Sequence, residues 1–192
     1  MERFATIVFY VLLMIGINVK AQNIDEKLFE NHPNFKETAL SHRRFVHADI
    51  IKLIEKYRSL PNFEISKIGQ SVEGRSINQI KIGKGPIKVL LWSQMHGNEA
   101  TATMALFDIF KFFAEKGEFE AFKDEILANC TLYFVPMLNP DGAERFIRRN
   151  AFGIDLNRDA LRLASPEAIL LKKLQNEILP DFGYNLHDQS PR

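Results

Sequence analysis

The chain has 192 residues, of which 46% are hydrophobic and 26% charged, a composition that excludes an intrinsically disordered protein and is sufficient for one packed domain. Its 25 basic and 24 acidic residues give a formal net charge of +1, which argues against a nucleic-acid partner. The single cysteine, Cys130, excludes an intramolecular disulfide and a multi-thiolate metal site, and its apolar neighbours predict a buried core position.

Residues 1–21 combine an early arginine, an apolar stretch from about Phe4 to Ile17 and small side chains at the end. This pattern is typical of a secretory signal peptide that is cleaved after Ala21. The apolar stretch is shorter than the roughly 20 residues that a membrane-spanning helix needs, so we expect no stable membrane anchor. The sequence therefore predicts a secreted or periplasmic protein, with residues 22–40 as an N-terminal extension.

Residues 41–192 contain no repeat or linker and are interpreted as one domain. Their hydrophobic spacing predicts, in chain order, a helix over 41–60, three strands over 62–94, helices over 99–117 and 118–129, a strand over 130–138, a helix over 165–180 and a central strand at 182–189. Ser165 is the expected N-cap of the last helix, with Pro166 at its first position. Strands alternating with helices predict an α/β fold, with a mixed, largely parallel sheet flanked by helices on both faces.

The third predicted strand leads into "SQMHGNEAT", which places His96 three residues before Glu99. An imidazole nitrogen and a carboxylate oxygen are both good zinc ligands. Gly97 and Asn98 tolerate a sharp turn that would bring the two side chains together. Ligands of α/β proteins gather at the carboxyl ends of strands, which is where His96 falls.

A catalytic zinc site needs a third protein ligand and an open position. His187, at the end of the last predicted strand, is the one histidine downstream of His96. The alternative for His187 is a core histidine bonded to a backbone carbonyl. The remaining histidines are predicted to be surface residues: His32, His42 and His47.

The stretch "LNPDGAERFIRRNAFGIDLNRDA", residues 138–160, begins with a predicted tight turn at "NPDG". Arg145, Arg148, Arg149 and Arg158 follow within it. A solvated basic face would explain these arginines, but the apolar residues of "GIDL" favour a partly buried Arg158. A guanidinium in that position needs an anion, and its planar shape suits a carboxylate.

Through "HGNE", "NPDG", "RRNAFGIDLNRD" and "NLHD", in this order, the chain resembles the zinc carboxypeptidase family of metallocarboxypeptidases over about residues 40–192. The resemblance implies a mixed sheet flanked by helices, one Zn²⁺, and hydrolysis of the C-terminal residue of peptides. The implied substrate is a peptide or peptidoglycan-type molecule with a free C-terminal carboxylate.

Residue by residue, the resemblance implies that the zinc ligands are His96, Glu99 and His187. Asn157 and Arg158 match the pair that holds the substrate's terminal carboxylate. Arg148 matches the arginine that stabilises the oxyanion, with Arg149 as the alternative. Asp155 matches a carboxylate that orients the first histidine ligand, a role expected beside any metal-bound imidazole.

The family's general-base glutamate and a substrate-capping tyrosine occur downstream of the third ligand, and the printed sequence has no counterpart of either. The sequence therefore predicts a partial catalytic domain over residues 41–192 that lacks the C-terminal strands and is inactive or barely active as encoded.

The sequence leaves three other functions open. Related zinc amide hydrolases that act on N-acyl amino acids also use His-x-x-Glu and a later histidine. A non-catalytic module could use zinc and the arginine pair to bind peptide C-termini. The last alternative is a structural α/β protein whose motifs are accidental.

Overall fold

A computed structural model of the protein describes residues 24–188, so the predicted signal peptide lies outside the described residues. The chain divides into two compact units, Met1–Lys36 and Glu37–Arg192. In the first unit, residues 24–35 form helix α1. Across residues 24–188, no helix has both the length and the apolar character that crossing a membrane requires.

The second unit contains the α/β fold and the candidate site. Its elements are α2 (His47–Tyr57), β1 (Phe63–Gln70), β2 (Ser76–Ile82), β3 (Ile87–Ser93), α3 (Thr101–Ala114), α4 (Glu120–Asn129), β4 (Cys130–Val135), α5 (Pro140–Arg145), a single 3₁₀ turn (Leu156–Arg158), α6 (Pro166–Ile178) and β5 (Phe182–Leu186).

The strands of the described residues form one mixed sheet in the order β1-β2-β4-β3-β5. β3 pairs in parallel with β4 and β5, whereas β2 pairs antiparallel with β1 and β4. The predicted fold class is therefore confirmed. Ser93 pairs with Leu186 in register, so β3 and β5 end side by side. β5 was expected to be a central strand, but in the described sheet it lies at the edge and pairs with β3.

Helices cover both faces of the sheet, as predicted. On one face, α2 and α3 pack against the strands through a cluster centred on Phe107 and Phe110. On the other face, α6 contributes Leu170, Leu174 and Ile178 to a cluster with Trp92 of β3. The two clusters bury the apolar side chains of the strands from opposite sides, and this leaves the carboxyl ends of β3 and β5 available for a site.

Two local predictions are wrong. "NPDG" does not form an isolated turn: Asn139 caps α5, its side chain accepting from the Gly142 backbone N–H, and Pro140 occupies the first helical position. Both residues favour a helix start as well as a turn, and the helix continues to Arg145. Cys130, predicted to be buried, is half-buried because it lies at the first position of β4.

Candidate metal centre

The loop between β3 and α3 carries the first two candidate ligands. Gln94 adopts a left-handed conformation with φ of 50°, and its side-chain amide donates to the Gly97 carbonyl. The Glu99 N–H donates to the His96 carbonyl, which closes a turn and places both side chains on one side of the loop. His96 is buried, with 1% of its surface exposed, whereas Glu99 is half-buried.

Gly97 is required by a close backbone approach. A Cβ atom on Gly97 would lie 1.9 Å from the Gly142 carbonyl carbon, which no packing adjustment of side chains could relieve. The loop therefore lies directly on the first turn of α5. The expected sharp turn at Gly97 and Asn98 is present, and the left-handed residue of the loop, Gln94, precedes this turn.

Three side chains form a compact cluster at the ends of β3 and β5. His96 Nδ1 lies 2.8 Å from Glu99 Oε1, and His187 Nδ1 lies 2.6 Å from Glu99 Oε2. One ligand atom from each residue lies within 4.8 Å of the other two. The parallel pairing of β3 with β5 explains this meeting, because it brings two segments about ninety positions apart in the chain to the same edge.

His187 is not a core histidine bonded to a carbonyl. Its side chain is 31% exposed and contacts the Glu99 carboxylate. The His187 and His96 rings lie 4.8 Å apart between centroids. Both Nδ1 atoms face the carboxylate, so two nitrogens and one oxygen converge at a point that solvent can reach.

Asp155 contacts the far side of the His96 ring. Its Oδ1 lies 3.0 Å from His96 Nε2, and its Oδ2 accepts from Arg148 Nε at 3.0 Å. Burial alone would raise the pKa of Asp155, but the hydrogen bonds from His96 and Arg148 outweigh burial and lower that pKa. The carboxylate therefore stays ionised and leaves Nδ1 as the ligand atom of His96.

The structure distinguishes the two arginines that the sequence left open. Arg148 contacts Asp155, and its Nη1 lies 3.3 Å from Glu99 Oε1, so its guanidinium adjoins the cluster while 44% of the side chain is exposed. Arg149 instead donates to the Gly153 carbonyl. Of the two arginines, Arg148 is thus the one whose guanidinium contacts the cluster.

Asn157 and Arg158 lie in the 3₁₀ turn that follows Asp155. Asn157 is half-buried, and its Oδ1 accepts from Asn185. Arg158 is exposed, so the predicted partial burial is wrong: Leu156 takes the buried position of the 3₁₀ turn. Arg158 and Arg149 line a shallow depression that Asp155 also borders, so this depression adjoins the metal centre.

Two groups that hold the site were missed by the sequence analysis. Asp188, directly after His187, contacts Thr101 and Arg43. Asn139 donates to the carbonyls of Met95 and Arg148 from a fully buried position. The only sequence signal for Asp188 was its position inside "NLHD". Asn139 was predicted only to lie in a turn.

Comparisons with known proteins identify the class of this fold and site. The zinc carboxypeptidase family model matches residues 50–166. The chain belongs to this family. The match includes Glu99 and Arg158 but ends before His187, so the third ligand rests on the geometry described above.

Individual relatives agree with this assignment. Carboxypeptidase 2 of Trichophyton rubrum is 26% identical over 136 residues, which are 70% of this chain and 23% of that protein. A solved metallo-carboxypeptidase from Pseudomonas aeruginosa is 26% identical with a TM-score of 0.68 and covers 76% of this chain and 40% of that one. A metallo-carboxypeptidase from Burkholderia cenocepacia, 23% identical, shows the same fold with a TM-score of 0.70 over 76% of this chain and 41% of that one.

The chain spans about a quarter of the length of the curated relatives it matches. The family implies zinc, and the donor set fits it: two imidazole nitrogens and one carboxylate are ligands that zinc prefers. In the described residues these are His96, Glu99 and His187.

Proposed function

We propose that this protein is a zinc-dependent metallocarboxypeptidase that removes the C-terminal residue of peptides, and that the described residues supply its metal centre and anion-binding groups. The observation that carries the proposal is the convergence of His96, Glu99 and His187 from two distant segments. Zinc bound there would supply a Lewis acid that lowers the pKa of a coordinated water toward about 7.

The protein's own residues account for orientation and charge. Asp155 fixes the His96 ring and keeps its Nδ1 directed at the shared point. Arg148 is positioned by Asp155 and Glu99, and its exposed side can donate to the negative oxygen that develops on a scissile carbonyl. A preset donor of this kind reduces the reorganisation needed during the reaction.

The depression lined by Arg149 and Arg158 is the proposed binding site for the terminal carboxylate of the peptide, and it would restrict cleavage to the last residue. A guanidinium binds a carboxylate through two parallel hydrogen bonds, and the exposure of Arg158 leaves it accessible to a substrate. A peptide held there by its terminal carboxylate would present its last peptide bond to the adjoining cluster. We also propose that the protein is exported, on the pattern of residues 1–21 alone.

Zinc binding to purified protein tests the metal centre. We expect one zinc per chain for the wild type, measured by metal analysis and by competition with a chromophoric chelator. His187→Ala should lose about 10²-fold or more in affinity, since removal of a ligand costs at least as much as removal of a supporting residue. His42→Ala is the matched control, because His42 is an exposed histidine outside the cluster.

Peptide binding to the zinc-loaded protein tests the proposed specificity. A peptide with a free C-terminus should bind more tightly than the same peptide with an amidated C-terminus, and Arg158→Ala should reduce this difference. Equal zinc binding by wild type and His187→Ala would reject the metal centre. Equal binding of the free and amidated peptides would reject the carboxylate anchor.

A further inference from the structure

Asp188 follows the third candidate ligand directly and is almost fully covered. Its carboxyl side chain is only 7% exposed, although it lies near the end of the described residues. Its Oδ2 accepts from the Thr101 hydroxyl at 3.0 Å, and its Oδ1 accepts from the Thr101 backbone N–H at 3.1 Å. The carboxylate that follows β5 is therefore bonded to the first residue of α3.

Helix α3 cannot cap its own N-terminus with a side chain. Its N-cap position is Ala100, which has no acceptor, and its first turn contains no acidic residue. The first backbone N–H groups of a helix need acceptors and favour a negative charge beside them. Asp188, 87 positions after Thr101, provides both.

Arg43 holds the same carboxylate from the other side. Its Nη2 lies 2.5 Å from Asp188 Oδ2 and 3.4 Å from the Asn98 carbonyl. One guanidinium thus joins Asp188 to the loop that carries His96 and Glu99. In addition, the Asp188 N–H donates to Glu99 Oε2 at 3.4 Å.

His187 depends on such support because of its place in the fold. β5 pairs with β3 on one side, and in the described sheet its other side has no strand. The His187 side chain is partly exposed and contacts the cluster through Glu99. Without an anchor after Leu186, the residues that follow β5 would have few contacts to fix the imidazole at the shared point.

We propose that Asp188 is the positioning residue of the third metal ligand: held by the N-terminus of α3 and by Arg43, it fixes the backbone of His187 beside His96 and Glu99. The inference rests on the proposed zinc site. Asp188 itself is not a ligand in this arrangement, because its carboxylate oxygens are occupied by Thr101 and Arg43.

The test compares zinc affinity with the stability of the metal-free protein. Asp188→Ala should weaken zinc binding about tenfold, in the range seen when residues that orient metal ligands are removed. Asp188→Asn keeps an acceptor for Thr101 but loses the charge, so about a threefold loss is expected. Affinities are measured by chelator competition, and metal-free stability by thermal denaturation.

Ser165→Ala is the matched control. Ser165 caps α6 through its hydroxyl, accepting from the Ala168 N–H, and α6 is a helix that carries no candidate ligand. This variant removes the same kind of cap, so the metal-free protein should be less stable while zinc affinity stays at the wild-type value. A role of Asp188 in zinc binding is then separated from a role in helix capping.

Arg43→Met is a second variant that tests the same inference if Asp188→Ala does not fold. It should weaken zinc binding about threefold alone and add little to Asp188→Asn, because both variants remove the same ion pair. Wild-type zinc affinity in the Asp188 and Arg43 variants, together with a loss in His187→Ala, would overturn the inference and leave the metal centre standing. Failure of the wild type to bind zinc would instead reject the proposed function.

Discussion

Three buried or half-buried carboxylates stabilise the loops around the metal centre, and their surroundings give them different pKa shifts. Burial would raise the pKa of Asp155 and of Asp159, but hydrogen bonds reverse the effect for both. For Asp159 the main donors are the Ser165 hydroxyl and backbone. Burial dominates for Glu167, whose pKa is raised although Asn150 and the Val72 N–H donate to it. The folded surroundings of Glu167 therefore disfavour its ionised form relative to the same carboxyl group in water.

The raised pKa of Glu167 predicts a specific pH dependence. The folded state binds this proton more tightly than the unfolded state, so the contribution of Glu167 to stability is greatest below its ordinary pKa of 4.5 and is lost as pH rises through the folded value. Glu167→Gln should remove this loss. The free energy of unfolding is measured by urea denaturation between pH 4 and pH 8, and the loss is the difference between its pH dependence in the wild type and in Glu167→Gln. Glu177→Gln, an exposed position on the same helix, should follow the wild type; parallel curves for Glu167→Gln would contradict the prediction.

At the level of elements, one side chain joins α5 to both loops of the candidate site. Asn139 Oδ1 caps α5 by accepting from the Gly142 N–H at 2.9 Å. Its Nδ2 donates to the Met95 carbonyl at 3.2 Å and to the Arg148 carbonyl at 3.4 Å. Met95 precedes the first ligand, and Arg148 is the oxyanion candidate. This buried amide is therefore one of the contacts that fix the relative position of the two loops.

Asn139→Asp separates the cap from the connection between the loops. Aspartate keeps the acceptor for Gly142 but has no donor for the two carbonyls, and a buried polar group left unpaired costs about 1–3 kcal/mol. We expect the free energy of unfolding to fall by about 2 kcal/mol or more, measured by urea denaturation without metal. Asn129→Asp, an exposed asparagine at the end of α4, should change it by less than about 0.5 kcal/mol. Similar values for the two variants would show that the amide donors of Asn139 contribute nothing.

At the level of the whole second unit, a helix pair on one face and α6 on the other stabilise the sheet that positions the site. Phe110 lies at the centre of the first face. It is fully buried, and its ring makes edge-type contacts with four aromatic rings at centroid distances of 5.1–6.4 Å: Phe107, Phe134, Tyr57 and Phe63. Four aromatic partners from α2, α3, β1 and β4 make this ring a junction between the helices and the sheet.

Phe110→Ala should therefore destabilise the whole unit. Loss of the ring and the cavity it leaves cost about 3–5 kcal/mol for a buried phenylalanine. Chemical denaturation of the metal-free protein measures this cost. Phe152→Ala removes a ring that is 61% exposed and should have an effect below about 0.5 kcal/mol. A cost near 1 kcal/mol for Phe110→Ala would mean that the surrounding helices collapse into the space.

The sequence alone determined the order of the helices and strands other than α1 and α5, the α/β class and the family. Each of these depends on information within a few residues: apolar spacing distinguishes α3 from β3, and Ser165 with Pro166 specifies the start of α6, where the structure has it. The candidate ligands could also be proposed from the sequence, because His96 follows one predicted strand, His187 lies at the end of another, and both lie in motifs of the family.

Only the tertiary structure shows which way a side chain points and which distant segments of the chain it contacts. Arg148 and Arg149 are adjacent in sequence, yet only the fold shows which guanidinium meets Asp155. Arg158 is exposed because Leu156 occupies the inward position of its turn, an orientation that composition cannot give. Asp188 gains its partners only when β5 pairs in parallel with β3 and ends beside α3. Spacing along the chain specifies local conformation, whereas contacts between segments some ninety residues apart form only after the sheet has assembled.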